Sequence, residues 1–384
     1  MAVSLSTNTV KLYSPVTGQF MGECSKGHSS TINEISFSGP PSTPHLLHSC
    51  SSDGTIRAWD TRSFQQVSCV SAGPSEEIFS FSFGGVSNNL LAAGCKSQVL
   101  LWDWRMKKQV ACLEESHMDD VTQVDSAVCD LHVPNANYDC NALLVQCVDE
   151  MVQLRASVHF VPDHQNKLIS ASVDGLLCTF DTSGDINDDD NLESVINIGT
   201  SIGKVGFLGE ANEKLWCLSH IETLSPNASA PILPYPSVWD WKDARLEANF
   251  DDARSLASNS WTLDHVDYFV DCHYSVEDDR LWVIGGTNAG TLGYFPVNYK
   301  GIRAISSPEA VLHGGHTGVV RSVLPMSNTK GRPSQGTFGW TGGEDGRLCC
   351  WLSDESCESN RSWISSTLVM KSPHSHRKSR RQPY

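Results

Sequence analysis

SSDGTIRAWDTR, residues 51–62, decides the fold, because it returns as SVDGLLCTFDTS at 172–183 and as GGEDGRLCCWLS at 342–353. Each copy reads as an Asp-Gly tight turn, a strand of alternating apolar residues and then an aromatic, which is one β-hairpin of a propeller blade. Weaker copies carry the register through the chain and put an aromatic in the same slot seven times, at Tyr13, Trp59, Trp102, Phe180, Trp239, Phe295 and Trp351. Seven slots predict an all-β ring of seven blades. At about 40 to 45 residues per blade, a single closed domain absorbs most of the chain.

Two blades carry more than the turn and the aromatic. Gly27-His28 precedes Trp59-Asp60 in the second, and Gly315-His316 precedes Trp351 in the last. From about residue 7 to about residue 357 the pattern resembles the WD-repeat family of β-propellers, and the resemblance implies a seven-bladed propeller over residues 1–357. In that family a His, a Ser or Thr of the second strand, the turn Asp and the Trp are linked by hydrogen bonds. The resemblance therefore implies two tetrads: His28, Ser49, Asp53 and Trp59, and His316, Thr341, Asp345 and Trp351. Buried Asp and His persist only when paired, so these residues are expected to be scaffold. Other blades depart from the pattern, with Lys96 or Ala289 in the turn-Asp place and Phe180 or Phe295 in the Trp slot. They are expected to rely on strand pairing and packing. SHMDDVTQV at 116–124, LWVIGGTNAG at 281–290 and VLHGGHTGVVRSV at 311–323 are similar to phrases of one WD-repeat subfamily.

Three irregularities interrupt the repeat. Successive aromatic slots lie 46 and 43 residues apart from Tyr13 to Trp102, but 78 separate Trp102 from Phe180. The excess, 125–157, splits the expected first strand of the fourth blade between VTQV at 121–124 and VHFVPD at 158–163. A second insertion, PNASAPILPYP at 226–236, is too rich in proline for a central strand. Both read as retained intervening sequence or as long surface excursions. Before Tyr13 only Thr9 to Tyr13 fits a strand, so the first blade is expected to lack its two inner strands and to leave an unpaired edge.

Composition narrows the function. A formal net charge of −16 disfavours nucleic-acid binding by the propeller body and suits basic or neutral protein partners. The 14 cysteines contain no C-x-x-C, so reduced, mostly buried thiols are expected, without a metal or any other cofactor. No apolar run is long enough for a membrane span and the N-terminus lacks a signal-peptide pattern, so a soluble protein of the nucleus and cytoplasm is expected. The sequons at Asn227 and Asn360 would then go unused. The acidic run 181–193 fails as an EF-hand starting at Asp185, because Asp190 and Ile196 stand where Gly and Glu are required. No nucleophile motif or phosphate loop appears, so no enzymatic activity is expected.

What remains is interaction. From Leu47 to Arg62 the chain resembles the sixteen-residue box of WD-repeat proteins that dock on the adaptor of cullin-type ubiquitin ligases, with Asp53, Trp59, Asp60 and Arg62 in its defining places. The resemblance implies a rim guanidinium offered by Arg62 to a partner. Trp102, Asp103 and Arg105 repeat the ending in the third blade, without the turn Asp. Residues 358–384 leave the repeat and read as a disordered basic tail, whose Arg377, Lys378, Arg380 and Arg381 suggest nuclear targeting or a weak RNA contact. A non-enzymatic scaffold for protein–protein interaction is the reading favoured. Its alternatives are a substrate receptor of a cullin-type ligase and a nuclear assembly factor in ribonucleoprotein or ribosome maturation.

Overall fold

A computed structural model describes residues 1–371 other than 25–26, 38–42, 74, 86–88, 114–116, 118–121, 124–141, 144–155, 185, 187–190, 220–235, 251, 262–264, 302–303, 326–336 and 354–363. Its strands form seven blades. Blade 2 shows the plan: Ile32–Ser36, Leu46–Ser51, Thr55–Asp60 and Gln65–Ser71 pair antiparallel in sequence order as strands a to d. Blade 3 runs from Ser80 to Leu113, blade 5 from Ile202 to Asn249, blade 6 from Tyr268 to His313 and blade 7 from Val320 to Lys371. First strands of successive blades touch one another and so surround the axis. Because strands alternate in direction, the a–b and c–d connections lie on one face, here called lower, and the b–c turns lie on the other.

The seven aromatic slots mark the seven joints of the ring. Among the described residues, the buried apolar side chains fall into seven clusters, one between each pair of neighbouring blades. Trp59 lies in the cluster of blades 1 and 2, Trp102 in that of 2 and 3, and Phe180 in that of 3 and 4. Trp239 flanks the cluster of blades 4 and 5, Phe295 lies between 5 and 6, and Trp351 between 6 and 7. Tyr13 borders the closing joint, where Met1 and Val3 of blade 1 meet Leu324 and Trp340 of blade 7. The Trp340 indole also donates to Pro15 O at 3.0 Å. In six blades the pairing of strands c and d slips by one residue immediately before the slot aromatic. A bulge there adds twist, which turns each blade toward its neighbour.

Several expectations need correction. The first blade lacks one inner strand, not two: Ala2–Leu5 pairs antiparallel with Thr9–Tyr13, and Phe20–Cys24 follows. Its inner edge is not left bare, since Ala142–Leu143 pairs with Ala2 and Val3 in parallel. The long insertion does not split a strand, because Ala156–Val161 forms the first strand of blade 4 in one piece, taking in the last two residues of the insertion, and Thr122–Gln123 pairs parallel to its first residue. The second insertion lies outside the described residues up to Tyr235. The tail boundary also moves. Ile364–Lys371 pairs with Arg347–Ser353 as the fourth strand of blade 7 and joins Ala310–His313 of blade 6 in parallel; a four-stranded blade needs an outer strand, and the β-branched Ile364, Thr367 and Val369 suit one.

Candidate functional site

In blade 2 the tetrad residues converge. Asp53 ends the b–c turn, which closes with Gly54 N–H donating to Ser51 O at 3.1 Å, and Gly54 takes the left-handed conformation at φ 73°. The His28 Nδ1–H donates to Asp53 Oδ2 at 3.0 Å. Ser49 Oγ lies 2.7 Å from His28 Nε2 and accepts from Trp59 Nε1–H at 2.8 Å. Asp53 further accepts from Ser29 N–H at 2.9 Å, Thr55 N–H at 3.0 Å and the Thr55 hydroxyl at 2.6 Å. Gly27 is required by close approach, since a Cβ there would stand 2.1 Å from Trp59 Cη2.

Donors and acceptors then match in one direction only: indole N–H to serine oxygen, serine O–H to bare Nε2, Nδ1–H to carboxylate. Burial pushes His28 below its ordinary pKa despite the raising influence of Asp53, so the imidazole is neutral. Burial also opposes the Asp53 charge, yet bonds from His28, Thr55 and Ser29 outweigh it and hold the carboxyl well below the usual range.

Blade 7 repeats the arrangement with His316, Asp345, Thr341 and Trp351, at 3.0, 2.8 and 2.7 Å along the chain of bonds. Blade 4 holds a third copy that the sequence reading missed: His117 lies 3.2 Å from Asp174 Oδ2 and 2.8 Å from Ser170 Oγ. Ser116-His117 stands in the Gly-His place, and that was its signal. Only the indole is lacking, because Phe180 cannot donate, so blade 4 does not depend on packing alone.

An Asp–His–Ser line at these distances is also that of a serine nucleophile with its base and orienting acid. Here it cannot reach a substrate. Ser49, Ser170 and Thr341 are each 0 % exposed. In blades 2 and 7 the hydroxyl oxygen is also occupied by an indole N–H. These are struts tying the approach to strand a, strand b, the b–c turn and strand c together.

A second set of ties, also unread in the sequence, joins blades. Glu34 accepts from Phe81 N–H, Ser82 Oγ from Phe160 N–H and Tyr268 Oη from Val320 N–H, each reaching the first strand of the next blade at 2.7–3.0 Å. Lys204 pairs with Asp271 across blades 5 and 6 at 3.2 Å. The residues concerned follow no common spacing, so no repeat could reveal them.

The expected docking residues lie on the lower face in c–d turns. Arg62 has a side chain 69 % exposed, but its fork closes on its own turn, Nε to Asp60 Oδ1 at 3.0 Å and Nη2 to Asp60 Oδ2 at 2.6 Å. Those bonds hold the Asp60 carboxyl far below its ordinary range. Arg105 is exposed, and its turn is closed by Met106 N–H donating to Asp103 at 3.0 Å. Asp185, Asp188, Asp189 and Asp190 lie outside the described residues, as do Arg377, Lys378, Arg380 and Arg381. The ten described cysteines are thiols, and burial pushes those of Cys95 and Cys217 well up. Among the described residues no group of three His, Cys, Asp or Glu is placed to hold a metal ion. No described helix is long and apolar enough to cross a membrane.

Seven blades around an axis, strutted by His–Asp pairs and sealed by one aromatic per joint, define a WD-type β-propeller. The family model "WD domain, G-beta repeat" matches residues 19–60. The chain is 61% identical to WD repeat-containing protein GTS1 of Arabidopsis thaliana, over 100% of this chain and 86% of that protein. It is 31% identical to the WD repeat-containing protein 89 homolog of Dictyostelium discoideum, over 84% of this chain and 74% of that one. The chain belongs to the WD-repeat family. A more local likeness, 23% over 29% of this chain and 19% of the relative, is to human DDB1- and CUL4-associated factor 10. Among solved structures, a chain of "Crystal Structure of Mitotic Checkpoint Complex" superposes with a TM-score of 0.56 at 11% identity, over 92% of this chain and 86% of that one, a likeness of fold.

Proposed function

We propose that the protein is a non-enzymatic scaffold that presents several partner-binding surfaces on one rigid ring. One observation carries this reading: the side chains best suited to catalysis are buried inside blades as struts, while the exposed loops are held by joints that run all the way round. Loops fixed on a rigid frame suit recognition of other proteins. Affinity purification with mass spectrometry, with and without residues 372–384, is the test. Recovery of the same proteins at near-stoichiometric amounts supports the scaffold, and recovery of none removes it. Nuclear residence through Arg377, Lys378, Arg380 and Arg381 belongs to the same proposal, as does a role in ribonucleoprotein or ribosome maturation.

A second reading has its own support in the box ending at Arg62 and in the local likeness to a protein named as DDB1- and CUL4-associated. In that reading Asp60 presets the Arg62 guanidinium on the rim, and the chain docks there on a cullin-ligase adaptor. Arg62→Ala should abolish co-purification of the adaptor without a change in melting temperature, while Arg105→Ala should matter less because Lys96 replaces its turn acid. Equal retention of adaptor by wild type and Arg62→Ala leaves the general scaffold alone.

A further inference from the structure

The lower face is electrically uneven. In blades 4 to 6 most of its described cations are neutralised by neighbours: Lys167 by Asp181, Lys214 and Arg245 by Glu247, Arg280 by Glu309 and Lys300 by Asp279, while Lys242 lies over the Trp241 ring beside His164. That sector also carries Glu210, Asp243, Glu277 and Asp278 in its connections. Blade 3 is the opposite. Its c–d turn offers Arg105, Lys107 and Lys108, all exposed, and among the described residues none of them has an ion pair. Met106, between them, is 71 % exposed. The turn is nonetheless fixed, because Trp104 is buried in the joint of blades 2 and 3, Trp104 N–H donates to Asn89 O at 2.8 Å and Asp103 accepts from Met106 N–H.

Blade 1 adds an apolar edge two blades away. Its outer strand begins with Phe20 and Met21, 52 % and 56 % exposed, beside Val16 at 61 %. Blades 2, 3 and 5 open the same strand with Gln65-Gln66, Lys108-Gln109 and Arg245, and blade 4 with a single exposed apolar residue, Leu192, followed by Glu193. Polar and charged residues on outer strands prevent unwanted pairing, so an apolar start there marks a covered surface.

We infer that the lower rim of blades 1 to 3 docks an acidic polypeptide segment that carries large apolar side chains. Its carboxylates meet Arg105, Lys107 and Lys108, and its apolar side chains pack on Met106 at one end and on Phe20 and Met21 at the other. The inference rests on the scaffold reading but not on Arg62, whose charge is already engaged. A segment is favoured over a broad polyanion because a duplex or an anionic membrane laid on this face would also meet the carboxylates of blades 4 to 6. A preset turn lowers the ordering cost of binding, and the charges steer association.

The test is selection of a random peptide library against the full chain, followed by fluorescence anisotropy with the enriched peptides. Enriched peptides should combine Asp or Glu with Leu, Phe or Trp and should weaken with added salt. The combined variant Arg105→Glu, Lys107→Glu, Lys108→Glu should lose at least about tenfold in affinity, and so should Phe20→Ser with Met21→Ser, each with an unchanged circular-dichroism spectrum. Arg280→Ala, on the neutralised side of the ring, should bind the peptides as wild type does. Enrichment of basic or neutral peptides, or of acidic ones indifferent to both variants, overturns the inference while the scaffold stands. It is overturned equally if single-stranded RNA or phosphatidylserine vesicles bind this rim in preference to the peptides, or if the triple reversal dissociates a dimer of the chain.

Discussion

Blades 2 and 4 carry the same strut with one difference, and that difference sets a measurable gap in stability. Ser49→Ala removes an oxygen that donates to His28 Nε2 and accepts from Trp59 Nε1–H, so two buried groups lose their partner. Ser170→Ala removes an oxygen that serves His117 Nε2 alone, because Phe180 has nothing to donate. Both serines are 0 % exposed, so water cannot substitute without entering the blade. Each orphaned buried group costs about 1–3 kcal/mol, which puts Ser49→Ala at about 2–6 kcal/mol and Ser170→Ala at about 1–3 kcal/mol. Urea unfolding followed by tryptophan fluorescence measures both. The double variant Ser49→Ala, Trp59→Phe should cost less than the sum of its parts, since the indole donor is removed with its acceptor. Equal costs for the two serine variants, or a cost under about 0.5 kcal/mol for Ser49→Ala, would refute the strut as drawn.

Gly27→Ala should destabilise by about 1–3 kcal/mol, because its methyl would meet the Trp59 ring at 2.1 Å, and it should cost less when Trp59→Leu is already present; thermal melts of the two single variants and the double check this. Acid should weaken the fold in two stages. His28 and His316 are held below their ordinary pKa, so below about pH 6.5 the unfolded chain takes up protons that the folded chain refuses, and stability present at higher pH is lost as pH falls. Asp53 and Asp345 are depressed as well and extend the loss below about pH 4. Calorimetry should show a melting temperature that falls between about pH 7 and about pH 5, with a shallower slope in His28→Asn, His316→Asn, whatever relief of the −16 charge contributes. Deleting 372–384, which leaves the outer strand of blade 7 intact, should shift a fluorescent fusion from nucleus to cytoplasm; unchanged distribution would leave the tail without a targeting role.

The fold was legible because its periodic residues are also its joints: the aromatic that recurs in the sequence is the side chain that seals each blade to the one before. Asp-Gly turns were legible for a local reason, since Gly54, Gly175 and Gly346 all take positive φ. His117 escaped because a Trp was required of its blade, whereas the His–Ser–Asp part of the strut forms without one. The ties between blades escaped for a deeper reason. Glu34, Ser82 and Tyr268 reach backbone N–H groups 47, 78 and 52 residues away, and backbone donors leave no mark in a sequence. The strand Ile364–Lys371 was hidden by the serines and basic residues around it, and its own residues do not alternate, so only the β-branched Ile364, Thr367 and Val369 hinted at it. The uneven lower face is a property of which turns the topology brings together, and only the structure shows which cations are already paired.

Native mass spectrometry of the tagged protein, gently isolated from its own cells, tests the scaffold most directly. A scaffold should be found in stoichiometric assembly with at least one other protein, and the triple reversal on blade 3 should remove a defined subset of partners while the ring stays folded. Recovery only as a free chain of 42.0 kDa, from lysates in which other assemblies survive, would contradict it.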